Sequence, residues 1–150
     1  MNKYMFVAIE EARIGMKNKD GGPFGAVVVK NGEIVGKGHN RVLSKKNPTC
    51  HGEMEAISDA CKNLNTFDLS GCEIYTTGEP CPMCLGAILW ANIDKIYYGF
   101  SIMNAEEIGF RDNKFYEMIK NKKDFCLELD KEECLKLCEE YKNIEDKTNY

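Results

Sequence analysis

The pair Asn31-Gly32 lies between two short runs of strand-forming residues, 24–29 and 34–38, and it restricts the fold more than any other local signal in this chain. Asn-Gly favours the tight turn whose twist matches two antiparallel strands, so the spacing predicts a β-hairpin. Ahead of it, Tyr4, Val7, Ala8, Ala12, Ile14 and Met16 recur at helical spacing over residues 3–19, and Gly21-Gly22-Pro23 stops that helix. Residues 41–49 are polar, contain Pro48 and read as a loop. From there the pattern alternates: helix over 51–64, strand over 73–77, helix over 82–91 with Pro82 suited to its first turn, strand over 95–100. A helical stretch over 103–121, a strand over 125–129 and a helix over 131–142 complete it. A hairpin followed by alternating strands and helices predicts one layered α/β domain whose later strands run parallel, joined by right-handed crossovers.

The 150 residues suffice for one core, and the formal net charge of −4 lacks the basic footprint of a polynucleotide-binding domain. A small-molecule substrate is the expectation. No apolar run approaches the roughly 20 residues that cross a bilayer, so no membrane association is expected. Glu10 and Glu11 interrupt the apolar pattern of the first residues, which therefore do not read as a leader. The expected location is cytoplasmic, where the eight cysteines stay reduced. Six of them (Cys50, Cys61, Cys72, Cys126, Cys134, Cys138) stand singly in or beside apolar patterns and read as small buried hydrophobes. Cys81 and Cys84 form a Cys-x-x-Cys instead.

Three segments carry chemistry: Asn40, Cys50-His51-Gly52-Glu53, and Glu79-Pro80-Cys81-Pro82-Met83-Cys84. Cysteine sulfur and imidazole nitrogen are the usual zinc ligands, and a catalytic site leaves its fourth position to water, so one His and two Cys make a ligand set. Cys81 and Cys84 lie three apart at a predicted helix start, where both sulfurs can face one way and the unpaired amides favour thiolates. Of the two histidines, His39 ends a predicted strand, where a structural hydrogen-bonding role is the default. His51 lies two residues before Glu53. A carboxylate near zinc but outside its ligand set can take a proton from water and hand it to a leaving group. Taken singly, each feature has a plainer reading: Glu53 as an acid at a helix start, the Cys-x-x-Cys as half a structural zinc site or a redox pair. A structural site needs four protein ligands, however, and a redox pair gives His51 and Glu53 no role.

Read together, His-x-Glu followed by Pro-Cys-x-x-Cys is a zinc-deaminase signature, and the sequence resembles the cytidine deaminase superfamily. Within it, the chain is most similar to the bacterial guanine deaminases. That similarity rests on residues 21–26 (Gly-Gly-Pro-Phe-Gly-Ala), Asn40, Asn47-Pro48-Thr49, residues 79–88, Gly109-Phe110-Arg111-Asp112 and a terminal tyrosine, and it covers nearly the whole length. The resemblance implies a three-layer α/β/α fold around a mixed five-stranded sheet. It implies one zinc ion held by His51, Cys81 and Cys84, Glu53 as proton shuttle, Asp112 meeting the substrate's amino group, and Phe24, Asn40 and Tyr150 binding substrate. The implied reaction is hydrolytic deamination of a free nucleobase, guanine to xanthine and ammonia. The implied assembly is a homodimer swapped through the C-terminal segment, with residues 143–150 as a tail capping the site. Three residues depart from the family pattern: Gly52 stands in place of an alanine, Arg111 in place of a second acid, and Glu55 in place of a threonine. Deamination of cytosine or guanosine, or of adenosine in tRNA, stays open at this level, as does a zinc-stabilised binding domain without turnover.

Overall fold

The expected hairpin forms: β1 (Gly25–Lys30) pairs antiparallel with β2 (Glu33–His39) around a turn in which Asn31 and Gly32 both take positive φ, 51° and 84°. The computed structural model describes all residues, 1–150, as two compact units, Met1–Tyr116 and Glu117–Tyr150.

In the first unit β1 is central, and its alternation sets the layers. Val27 and Val29 point to one face, where they pack with Ala8 of α1 (Lys3–Lys17) and with Tyr75. Ala26 and Val28 point to the other, where they join Ala56 and Ala60 of α3 (Gly52–Leu64), Ile74 of β3 (Cys72–Gly78) and Ile88 of α4 (Pro82–Trp90). One helix on one face and two on the other make three layers. Gly36 lets α3 lie close on β2, because a Cβ there would fall 2.5 Å from the carbonyl oxygen of Ala56 and the amide nitrogen of Ala60. The strand order is β2-β1-β3-β4, with β3 antiparallel to β1 and parallel to β4 (Lys95–Phe100).

Several expectations are corrected. The sheet is mixed but has four strands rather than five. Residues 125–129 form no strand, since a strand needs a ladder partner and none exists for them within the second unit. The helical stretch over 103–121 breaks into α5 (Ile102–Glu107) and α6 (Asp112–Lys120), because Gly109 takes φ 97°, which no helix can propagate. The loop over 41–49 contains a one-turn helix, α2 (Val42–Lys45). Cys126, Cys134 and Cys138 are exposed rather than buried, because no residue of 117–150 is buried.

The second unit contains a turn of 3-10 helix (Lys122–Asp124) and α7 (Lys131–Lys142). Its tail folds back on α7: the Tyr141 hydroxyl donates to the carbonyl of Thr148 at 3.0 Å, and Lys147 Nζ donates to the carbonyl of Lys142 at 2.9 Å. No helix of the chain is long and apolar enough to cross a membrane.

Candidate metal centre and cavity

His51 is the N-cap of α3 and Cys81 the N-cap of α4, and neither side chain is spent on capping its helix. Pro82, at the first position of α4, fixes a φ suited to the turn and has no N–H to leave unsatisfied. The two helix starts therefore converge with their metal-binding atoms free. His51 Nδ1 lies 3.6 Å from Cys81 Sγ and 3.5 Å from Cys84 Sγ, and the three ligand atoms fall within 4.8 Å of one another. Around a tetrahedral zinc with about 2.3 Å to sulfur and about 2.05 Å to nitrogen, neighbouring N and S ligands stand about 3.6 Å apart. The residues fit zinc in both donor type and spacing.

Local electrostatics prepare thiolate. Hydrogen bonds from Cys84 and from His51 pull the Cys81 thiol down to about 4, while the hydrogen bond with Cys81 and then burial push Cys84 up. The hydrogen bond with Cys81 likewise raises His51, against the opposing effect of burial. Glu53, in the first turn of α3, is 5% exposed, and burial pushes its carboxyl up to about 7. A carboxyl poised near neutrality suits a group that must both take and give a proton.

Next to these residues lies a cavity of about 440 Å³. Glu53, His51 and Cys81 line it, together with Asn40, Phe24 and Asp112. Seven of the eight residues singled out from sequence are thus gathered here, Cys84 being buried directly behind His51. Tyr150 belongs to the second unit, where it is exposed.

Asn40 is buried, its N–H donates to the Phe24 carbonyl at 2.8 Å, and its Oδ1 accepts the Val42 N–H at 3.1 Å. That bond fixes the amide orientation and leaves Nδ2 as a donor. Phe24 is half-buried and forms part of the cavity wall. Its ring meets Phe110 edge-on at 4.7 Å between centroids and tilts against Phe100 at 5.7 Å. Asp112 opens α6, and its carboxyl is raised by burial and by the nearby Cys81.

Of the departures, Gly52 has a steric reason, since a Cβ there would fall 2.8 Å from the Phe24 carbonyl oxygen. Glu55 pairs with Lys45 Nζ at 2.8 Å, tying α2 to α3. Arg111 lines the cavity with its guanidinium over the Phe115 ring at 5.0 Å.

Sequence reasoning missed the supporting residues. Glu79 Oε2 accepts the Ile102 N–H at 3.0 Å, and the Tyr116 hydroxyl donates to the Pro80 carbonyl at 2.7 Å, bracing the loop that carries Cys81. Glu79 stood within the quoted motif. Tyr116 gave no signal, because its partner is a backbone atom 36 residues away.

Comparison with known proteins agrees with this geometry. Residues 1–100 match the family model for the cytidine and deoxycytidylate deaminase zinc-binding region. The chain is 45% identical to the guanine deaminase of Bacillus subtilis over 121 residues, covering 79% of this chain and 78% of that one. It is 46% identical to a tRNA-specific adenosine deaminase of Aquifex aeolicus over 95 residues, covering 63% and 62%. The X-ray structure of the B. subtilis guanine deaminase superposes with a TM-score of 0.86 at 36% identity, covering 100% of this chain and 99% of that one.

Proposed function

The chain belongs to the cytidine and deoxycytidylate deaminase family of zinc hydrolases, and from that premise we propose that its substrate is the free base guanine, converted to xanthine and ammonia. The observation that carries the choice of substrate is the fit of the whole structure. The guanine deaminase structure covers 100% of this chain with a TM-score of 0.86, whereas a tRNA:A34 deaminase structure covers 65% with a TM-score of 0.62. The acidic balance, with three arginines in the chain, also speaks against a polynucleotide substrate.

In this reading His51, Cys81 and Cys84 hold the zinc, which when bound supplies a Lewis acid that makes water a competent nucleophile near neutral pH. Glu53 accepts the proton of that water and delivers it to a ring nitrogen, which makes the amino-bearing carbon C2 more electrophilic. The oxygen adds to C2. The remaining proton of the added oxygen then passes to the amino group by way of Glu53 and Asp112, the C2–N bond breaks, ammonia leaves and the oxygen becomes the C2 carbonyl of xanthine. Asn40 Nδ2 donates to an acceptor on the base edge, and Phe24, held by Phe110 and Phe100, lies against the ring.

The proposal extends to the assembly. The two units act as one deaminase domain in a cytoplasmic homodimer, swapped through the C-terminal segment, with residues 143–150 and Tyr150 capping the partner's cavity. Two observations support it. β4 is an edge strand, and the alternating Phe125, Leu127 and Leu129 are exposed, the two leucines by 85% and 79%. A reduced compartment suits a site built on thiolates.

The test is product identification. Zinc-loaded protein incubated with guanine is expected to yield xanthine and ammonia in equal amounts. Inertness toward guanine, with conversion of adenosine to inosine in a tRNA anticodon stem-loop, would overturn the reading.

A further inference from the structure

Beside the cavity wall lies a charged cluster, buried at His39 and Glu11, that the reaction does not use. His39, 4% exposed, sets Nδ1 3.1 Å from Glu11 Oε2 and Nε2 3.0 Å from Asp20 Oδ2. Lys37 Nζ lies 2.9 Å from the other oxygen of Glu11. Burial pushes the Glu11 carboxyl up, but hydrogen bonds from Lys37 and His39 together hold it below its ordinary value. Hydrogen bonds from Ser44 and then His39 do the same for Asp20. Each ring nitrogen of His39 thus faces one carboxylate oxygen, and the imidazole bridges the two acids.

The cluster lies behind three pieces of cavity wall. Asp20 precedes Gly21 and Gly22, which line the cavity, and its carbonyl accepts the N–H groups of Leu43 at 2.9 Å and Ser44 at 3.3 Å. That anchors α2, whose Val42 and Leu43 also line the cavity. His39 itself precedes Asn40. Gly21 is pressed on the Asn40 amide so closely that a Cβ there would fall 2.0 Å from Oδ1. A movement of the Asp20 loop is therefore a movement of the surface that holds Asn40.

We propose that His39 is a positioning residue for substrate: by bridging Glu11 and Asp20 it clamps the Gly21–Gly22 loop against Asn40 and so sets the amide that meets the base. The inference rests on the reading of this cavity as the base pocket. His39 does not line the cavity and acts only through its neighbours.

The experiment is a set of steady-state measurements on zinc-loaded His39→Gln, Asp20→Asn and the double variant, with Asn40→Ala alongside. Loss of the clamp is expected to raise KM for guanine by about tenfold or more while kcat stays within about threefold, because the groups that move protons are untouched. Zinc content is expected to be unchanged. The double variant is expected to be no worse than the poorer single one, since both remove one interaction. An unchanged KM with only a lower melting temperature would make His39 merely structural and overturn the proposal, as would KM effects that multiply in the double variant. Asp20→Asn keeps the backbone carbonyl and side-chain shape, so it decides the matter if His39→Gln fails to fold. If Asn40→Ala raises KM and the clamp variants do not, only this proposal falls. If Asn40→Ala leaves KM unchanged, the base-pocket reading falls with it.

Discussion

His51 Nδ1 and Cys84 Sγ stand 3.5 Å apart although 33 residues separate them in the chain. Two helix starts, one after the hairpin and one after β3, bring them together, and both N-termini face the point they share. A site made this way depends on the sheet beneath it and not on any single loop.

Of the three proposed zinc ligands Cys84 is the one with no exposure, so Cys84→Ser tests the ligand set with least disturbance of the surface. Serine keeps the volume nearly constant but is a poorer zinc ligand. Zinc affinity is expected to fall at least about a hundredfold, measured by competition with a chromogenic chelator. Full occupancy at unchanged affinity would show that Cys84 is no ligand.

Glu53→Gln keeps size and polarity and removes the proton acceptor. Turnover is expected to fall at least about a hundredfold with zinc retained, as read from kcat and metal analysis on the same sample. Near-normal turnover in zinc-replete protein would leave the shuttle role without support.

Stability should respond to acid through Glu11. Its carboxyl is held below the ordinary 4.5, so between the two values the unfolded chain binds more protons than the folded one and stability rises with pH. The contribution is complete above about pH 4.5 and is lost as pH falls through the folded value. Glu11→Gln lacks it, so the gap in melting temperature between the wild-type and variant proteins is expected to be widest near neutrality and to narrow below about pH 4. A gap that is constant across this range would mean that Glu11 is not held ionised by Lys37 and His39.

How much of this could be read from the chain depended on how local each signal was. The hairpin, the helix at Gly52–Leu64 and the helix at Pro82–Trp90 were legible because Asn-Gly, Pro82 and short-range periodicity act over a few residues. The convergence of His51, Cys81 and Cys84 was legible because only two histidines exist and one precedes a glutamate by two residues. The fifth strand failed because residues 125–129 have a strand pattern but no ladder partner in their own unit, and pattern alone does not supply one. Glu11 and Asp20 were invisible as partners of His39, since they lie 28 and 19 residues away and meet it only when α1 packs against β2.

Deleting residues 146–150 tests the capping tail. The truncated protein is expected to keep its fold and zinc but to lose turnover of the small base, and to lose less toward a bulkier nucleoside, because a cap excludes a ribose. Sedimentation of the intact chain as a dimer, and of Leu127→Lys as a monomer, is the expected companion result. Full activity without the tail would mean that the tail has no part in the site.

Whether the proposed zinc site serves guanine is read from kcat/KM of the zinc-loaded protein for guanine, guanosine, cytosine, adenine and cytidine, followed by ammonia release. Guanine is expected to lead every other compound by at least about a hundredfold, since a buried hydrogen-bonding pocket discriminates at that level or better. Preference for cytosine or a nucleoside, or release of ammonia from none of the five, would contradict it.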